Sequence, residues 1–148
     1  MSQSLSKVNV HIVFSTKHGH NLISDAIRSK LHAYLTGIMA NLGSYSYELY
    51  ANPDHLHILC TLPRTLTIAD LVSKIKSSSS KWLKLNGVNG FGWQDGYAIF
   101  SVSASKINIV KSYILNQPEH HKKVSFQDEV RRFLKEYGIE FDEKYVWD

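Results

Sequence analysis

The sequence of 148 residues lacks several features that would assign it to a class at once. Cys60 is its single cysteine, which excludes an intrachain disulfide and a zinc cluster built from several thiolates. No apolar run approaches the roughly 18 residues that a membrane-spanning helix needs. The first residues show neither the basic start nor the apolar core of a signal peptide. We therefore expect a protein of the cytoplasm that spans no membrane.

Hydrophobic and charged residues are present in ordinary amounts. They make up 43% and 20% of the chain, as in folded globular proteins. At this length we expect a single domain, residues 1–148, that is large enough to bury a core without disulfides. The formal net charge of +4 favours a polyanionic partner without requiring one.

Hydrophobic periodicity predicts the elements of the first half of the chain. Residues from Lys7 to Thr16 alternate between apolar and polar, as a half-buried strand does, and a helical repeat runs from Ser24 to Gly43. Residues 45–50 and 55–62 read as two further strands. They flank the turn Asn52-Pro53-Asp54, so we expect them to form a hairpin.

In the second half of the chain the same signals predict further helices and one strand. Thr67 carries the signal for a helix start, and residues 97–102 alternate as a strand. A helix from about Ser105 is expected to end or kink at Pro118. One more amphipathic helix follows Ser125, a plausible N-cap residue.

The predicted order is β-α-β-β-α-β with one or two helices appended at the C-terminal end. This order predicts an α+β fold of the ferredoxin-like, split βαβ type. In such a fold the helices lie on one face of an antiparallel sheet. We therefore expect the other face of the sheet to be free for function.

Two histidines lie on the predicted strand behind the turn, in the segment NPDHLHILC. Alternate residues of a strand point to the same face about 6.5–7 Å apart, so His55 and His57 project together while Leu56 and Ile58 point to the opposite face. Two imidazoles so placed can bind one metal ion. A polar sheet face without a ligand explains an isolated pair equally well. The position just behind a turn, on an uncovered face, favours the metal.

Tyr113 and Gln117 lie four residues apart on the predicted later helix, so they share a face with their roots within about 6 Å. By themselves they fit a tyrosine at the boundary of the core and a glutamine on the helix surface. A phenol has an ordinary pKa of about 10 and needs a nearby cation to become a nucleophile. A catalytic role therefore requires that this helix meet the histidine pair.

Together these segments resemble the single-tyrosine HUH transposases of small bacterial insertion sequences, and equally their domesticated relatives, the REP-associated tyrosine transposases. The His-hydrophobic-His strand, GYAIFSVS, YILNQPEHH and the final EKYVWD carry the resemblance. The resemblance implies that His55 and His57 bind a divalent metal, Mg²⁺ or Mn²⁺. It implies that Gln117 completes the protein ligands and that Tyr113 is the nucleophile. We add Asp54 as a candidate partner that orients a ligating histidine.

The reaction implied by the resemblance is the cleavage and rejoining of single-stranded DNA at hairpin-marked ends of a mobile element. The tyrosine attacks a phosphodiester and leaves a 3′-hydroxyl and a 5′-phosphotyrosine, which a second DNA end can resolve. The resemblance also implies a homodimer whose active sites are shared between the subunits. Because two imidazoles suit Mn²⁺ better than Mg²⁺, we expect Mn²⁺ to support this reaction at least as well as Mg²⁺.

The second long helix carries candidate DNA contacts. Lys74 and Lys81 lie on nearly one stripe, with Ser77 and Ser78 between them. Such a stripe would let a DNA backbone approach closely, and each neutralised phosphate would add roughly 0.7 to the salt dependence of binding. A solvated helix face explains the same residues equally well.

Two other functions compete with the transposase. A ferredoxin-like protein that only binds nucleic acid, such as a domesticated hairpin binder, would share the fold and the basic character. A pure binder, however, has no need for the histidine pair together with Tyr113 and Gln117. A hydrolase that uses the histidine pair alone leaves Tyr113 unexplained.

Overall fold

The computed structural model describes residues 2–148 of the chain. Within this range the chain forms four β-strands and five α-helices, with short 3-10 turns at Lys17–Gly19 and Ala104–Lys106. The elements are β1 (Asn9–Ser15), α1 (Asp25–Asn41), β2 (Ser46–Ala51), β3 (His55–Thr61), α2 (Ile68–Leu85), β4 (Ala98–Val102), α3 (Ile107–Leu115), α4 (Gln117–His120) and α5 (Phe126–Glu136). No helix of residues 2–148 combines the length and the apolar character needed to cross a membrane.

The strands form one sheet in the order β2-β3-β1-β4, in which every neighbouring pair is antiparallel. The α+β class, the predicted order of the elements and the antiparallel sheet are therefore confirmed. The predicted hairpin is also present, because β2 pairs with β3 across residues 52–54. In the register of the two central strands, Val13 lies opposite His57 and Ser15 opposite His55.

Helices α1 and α2 cover one face of the sheet and form the main core with it. Ile12 of β1 pairs with Ile58 of β3 on this face, and both side chains are fully buried. The Thr67 side chain begins α2 as predicted, since it accepts a hydrogen bond from the Asp70 N–H at 3.0 Å. We call this surface of the sheet the apolar face.

The opposite surface, which we call the histidine face, is covered as well. Val13 and Phe100 pack there against apolar side chains of α5, and Leu59 packs against Ile114 of α3. The prediction that this face is free is therefore wrong. The helices after β4 are amphipathic, and burying their apolar stripes on the sheet removes those stripes from water. Histidines on this face are consequently buried.

The helix predicted from Ser105 is divided into two parts. The division falls at Asn116, where the backbone has φ −88° and ψ 9°, and Pro118 lies in the first turn of α4. Helix α5 starts as predicted, because the Ser125 hydroxyl accepts a hydrogen bond from the Asp128 N–H at 3.2 Å. This arrangement turns the chain back over the histidine face.

Candidate active site

The histidine pair lies at the centre of the histidine face. His55 is 1% exposed and His57 is fully buried, and both rings project from β3 toward the C-terminal helices. Leu56 and Ile58 point to the apolar face, as predicted. The alternation of β3 therefore orients the two imidazoles together, and the C-terminal helices close over them.

Glu129 of α5 supplies a carboxylate to the pair. Its oxygen Oε1 lies 2.8 Å from His57 Nε2 and 3.5 Å from His55 Nε2. The same oxygen lies 3.2 Å from Nε2 of His121, which follows α4. Glu129 itself is fully buried. A buried carboxylate is tolerated only where it is paired and hydrogen-bonded, and these imidazoles provide that pairing.

A second layer of contacts holds the rings of the pair. Asp54 Oδ1 lies 2.7 Å from His55 Nδ1, which is the contact predicted for Asp54, although its role toward a bound metal stays a prediction. His11 of β1 places Nε2 2.8 Å from His57 Nδ1. In both histidines Nδ1 is thus hydrogen-bonded, by Asp54 or His11, while Nε2 points to Glu129. A metal-binding imidazole is usually oriented in this way.

Tyr113 and Gln117 meet the histidine pair through the same carboxylate. The Tyr113 hydroxyl donates a hydrogen bond to Glu129 Oε2, and Gln117 Nε2 donates to that oxygen at 3.2 Å. His57 and Tyr113 have ring centroids 5.9 Å apart. The meeting of helix and histidine pair that a catalytic role requires is therefore present within one chain.

Gln117 has a further partner that bears on its predicted role as a ligand. The side chain is fully buried, and its Oε1 accepts a hydrogen bond from Asn52 Nδ2 at 3.0 Å. Glu129 lies between the amide of Gln117 and the histidine pair. The assignment of Gln117 as a metal ligand stays a prediction.

The charges of the cluster follow from burial and contact. Burial alone would raise the pKa of Glu129, but hydrogen bonds from His121, His55 and His57 outweigh it and hold this pKa well below the usual range. Burial alone would lower the pKa of His55, but hydrogen bonds to Asp54 and Glu129 reverse this and raise it. Burial lowers the pKa of His57 to about 4 despite its contact with Glu129. The cluster thus contains an anionic glutamate beside a neutral His57.

The nucleophile predicted at Tyr113 is a neutral phenol in this arrangement. Burial is the main cause, and the negative charge of Glu129 adds to it, so that the pKa of Tyr113 is held above its ordinary value. Loss of the phenolic proton is therefore disfavoured in this arrangement.

Four residues of the cluster can bind a metal ion together. One donor atom from each lies within 4.8 Å of the others, and the residues are His55, His57, His121 and Glu129. Nitrogen and carboxylate donors in this mixture suit first-row divalent metals such as Mn²⁺ and Zn²⁺ better than Mg²⁺, which prefers oxygen. The donor chemistry therefore fits a divalent metal without identifying it.

Sequence reasoning missed Glu129 and did not assign His121 to the metal. A signal for Glu129 was available in the last helix, where Phe126 and Val130 define the apolar stripe. Glu129 lies on that stripe, and an acidic residue among core positions indicates a buried carboxylate with a partner. His121 carried no comparable signal, because a histidine at a helix end is common on surfaces.

The predicted DNA contacts lie apart from this cluster. Lys74, Ser77 and Lys81 are exposed on α2 and Ser78 is half-buried. Helix α2 packs on the apolar face, so the sheet separates these residues from the histidine pair. Their binding to DNA stays a prediction, and they cannot touch a phosphate held at Tyr113 of the same chain.

Known proteins share sequence and fold with most of this chain. The profile of the family described as Transposase IS200 like matches residues 4–117 of the chain. The ISDra2 transposase TnpA of Deinococcus radiodurans is 25% identical over 118 residues, which cover 75% of this chain and 84% of that protein. The chain belongs to the IS200-like transposase family. The predicted resemblance is thereby confirmed.

Two solved structures share the fold. A crystal structure of a transposase from Deinococcus radiodurans R1 superposes with a TM-score of 0.63 at 24% identity, covering 79% of this chain and 98% of that chain. A REP-associated tyrosine transposase bound to a REP hairpin superposes with a TM-score of 0.58 at 16% identity, covering 84% and 76%. At these identities the likeness establishes the fold alone.

Proposed function

We propose that this chain, as one catalytic domain of residues 1–148, cleaves and rejoins single-stranded DNA at hairpins that mark the ends of a mobile element. Tyr113 attacks a phosphodiester. A bond forms between the phenolic oxygen and phosphorus while the bond from phosphorus to the 3′ oxygen breaks, which leaves a 5′-phosphotyrosine and a 3′-hydroxyl. The observation that carries the proposal is the chain of contacts from the Tyr113 hydroxyl through Glu129 to His57.

Each protein group has a task in this reaction. Glu129 Oε2 is the acceptor toward which the phenolic proton points. Gln117 holds the same oxygen and so fixes the carboxylate beside the phenol. The surrounding helices keep bulk water from the buried end of the site, where His55, His57 and Glu129 are less than 2% exposed. These contacts position a phenol and a carboxylate before a substrate arrives.

A divalent metal belongs to the proposal. His55 and His57 are common to the predicted ligand set and to the observed cluster, and we assign them as ligands with Glu129 and His121. When bound, such an ion supplies positive charge that polarises a phosphate oxygen and offsets the charge of Glu129 beside the phenol. Gln117 remains the alternative third ligand, and metal titration of Gln117→Ala and Glu129→Ala distinguishes the two sets.

The experiment that tests the reaction uses a labelled library of single-stranded DNA hairpins. Wild-type protein, incubated with Mn²⁺, is expected to form a protein–DNA adduct that survives denaturing electrophoresis. EDTA and the variant Tyr113→Phe are expected to abolish it. Tyr137→Phe is the matched control, because its hydroxyl contacts the Ser101 carbonyl oxygen rather than the cluster.

Binding of hairpins without an adduct would support the alternative of a non-catalytic hairpin binder. The REP-associated relative with its bound hairpin favours hairpin recognition under either function. The stripe of Lys74, Ser77, Ser78 and Lys81 is then the proposed contact for DNA outside the active site. Substitution of these residues should reduce the salt dependence of DNA binding without abolishing the covalent protein–DNA adduct.

The predicted homodimer with shared sites is tested by mixing two inactive variants. Tyr113→Phe and His57→Ala restore an adduct in the mixture only if the tyrosine and the histidines come from different subunits. The contact of Tyr113 with Glu129 in one chain favours a site within one subunit. No recovery in the mixture would support that arrangement.

A further inference from the structure

Helix α5 reaches the proposed nucleophile from outside the part of the chain that the family profile matches. The family profile ends at residue 117, and α5 spans Phe126–Glu136. Glu129 and Arg132 lie three residues apart on this helix, so they share a face. Both contact the Tyr113 hydroxyl, with Arg132 Nη2 at 3.4 Å. The phenol therefore lies between an anion and a cation of the same helix.

Arg132 differs from the arginine beside it. Arg131 is neutralised by two carboxylates, since its Nε and Nη2 donate to Glu143 and its Nη1 donates to Asp128. Within residues 2–148 the carboxylate partner of Arg132 is Glu136, at the longer distance of 3.8 Å. Most of the five N–H donors of Arg132 thus remain available for another acceptor.

The place of Arg132 also keeps its charge near the phenol. Its guanidinium lies 5.9 Å from the centroid of the Tyr113 ring and 5.5 Å from that of Phe133. Contacts of a cation with aromatic faces are favourable and restrain the side chain. With 47% of its side chain exposed, Arg132 stands at the solvent side of the site, where a substrate must enter.

We infer that Arg132 is a catalytic residue that binds the non-bridging oxygens of the phosphodiester attacked by Tyr113, which rests on the proposed function. Reacting atoms lie about 3–3.5 Å apart before a bond forms. A phosphate in line with the phenolic oxygen therefore brings its other oxygens within reach of the guanidinium. The fork of N–H donors matches two such oxygens. Arg132 transfers no proton in this step; it stabilises charge that is spread over the phosphate oxygens in the transition state.

The test compares Arg132→Met with the matched control Arg131→Met, using a hairpin selected from the library by the wild-type protein. The two side chains are similarly exposed, at 47% and 40%, and each substitution removes one charge from α5. At saturating hairpin and Mn²⁺ we expect Arg132→Met to slow adduct formation about 100-fold or more. We expect Arg131→Met to change the rate little, since exposed ion pairs contribute little. Arg132→Lys should recover part of the rate because it keeps the charge and loses the fork.

Hairpin affinity and thermal unfolding are measured on the same variants. The inference requires that Arg132→Met bind the hairpin nearly as well as Arg131→Met and unfold at a similar temperature. Equal rates of adduct formation in the two variants, or a loss of affinity as large as the loss of rate, would overturn the role of Arg132 and leave the proposed function intact. A wild-type protein that forms no adduct with any hairpin of the library would overturn both.

Discussion

The two faces of the sheet are built from the same strands by different means. On the apolar face, Ile12 and Ile58 lie opposite each other and need only apolar neighbours. On the histidine face, Val13 lies opposite His57, and the buried imidazole needs a partner for each ring nitrogen. The first face is stabilised by area removed from water. The second is stabilised only if every polar atom is paired.

The histidine face meets that condition. Every buried side-chain nitrogen and oxygen found in residues 2–148 has a hydrogen-bond partner. The partners of His57 come from β1 and α5, which are distant from it in sequence. A single strand therefore contributes to a core that tolerates many apolar sequences and to a cluster that tolerates few. The contrast indicates that substitutions on the two faces will differ in their response to metal.

The largest effect is expected on the apolar face. Ile58→Ala should lower the free energy of unfolding by about 2–5 kcal/mol, because it removes buried methyl groups and leaves a cavity. The loss should be the same with and without Mn²⁺, as measured by urea unfolding. The neighbouring variant His57→Ala should instead abolish the gain in stability that Mn²⁺ gives, which is about 2.7 kcal/mol when the free metal is at 100 times Kd. A metal-dependent loss in Ile58→Ala would contradict the separation of the faces.

On the histidine face, His11 is expected to tune metal affinity without touching the metal. If His57 Nε2 binds the ion, its Nδ1 carries the proton and donates it to His11 Nε2, which lies 2.8 Å away. His11→Leu removes that acceptor and should weaken Mn²⁺ binding about 10–100-fold, measured by calorimetric titration. His11→Gln keeps an acceptor oxygen and should lose much less. Equal affinities of the two variants would mean that His11 only fills space.

This comparison also separates what the sequence could predict from what it could not. Alternation along β3 and the turn before it predicted the hairpin and the common direction of His55 and His57, because strand periodicity is a local property. The contact of Tyr113 with the pair depended on how α3 packs, so it could be stated only as a requirement. The family resemblance supplied the roles of these residues but gave no role to Glu129, although it extends past α5 to the final EKYVWD. The spacing of a sequence motif carries no information about side chains that a separate, later helix brings to the site.

A smaller effect concerns the pH dependence of stability, through His32 of helix α1. Burial, with the charge of Arg28, lowers the pKa of His32 to about 4, and its Nε2 accepts a hydrogen bond from the Ala51 N–H. The unfolded chain has a pKa near 6.5 at this residue, so it binds more protons than the folded protein between pH 6.5 and 4. The contribution of neutral His32 to stability is therefore fully present above pH 6.5 and is lost as the pH falls from 6.5 to 4.

The variant His32→Gln tests the direction of this pH dependence. It keeps an acceptor for Ala51 and cannot titrate, so metal-free protein should lose less stability than the wild type between pH 6.5 and 4. We expect the difference to be on the order of 1 kcal/mol after allowance for the partial exposure of the ring. Urea unfolding at closely spaced pH values measures it. Parallel curves for the two proteins would show that His32 does not contribute.

The smallest effects compare the helix caps on the two faces. Thr67 caps α2 on the apolar face and Ser125 caps α5 on the histidine face, each by accepting a backbone N–H. Replacing either by alanine should cost about 1 kcal/mol of stability. Ser24 stands at the start of α1 without such a bond and serves as the control, with a smaller loss expected from Ser24→Ala. Because α5 carries Glu129, Ser125→Ala should also weaken Mn²⁺ binding in calorimetric titration, whereas Thr67→Ala should not. Equal effects of the two caps on metal affinity would mean that the first turn of α5 does not hold Glu129 in place, and that its position depends on the imidazoles alone.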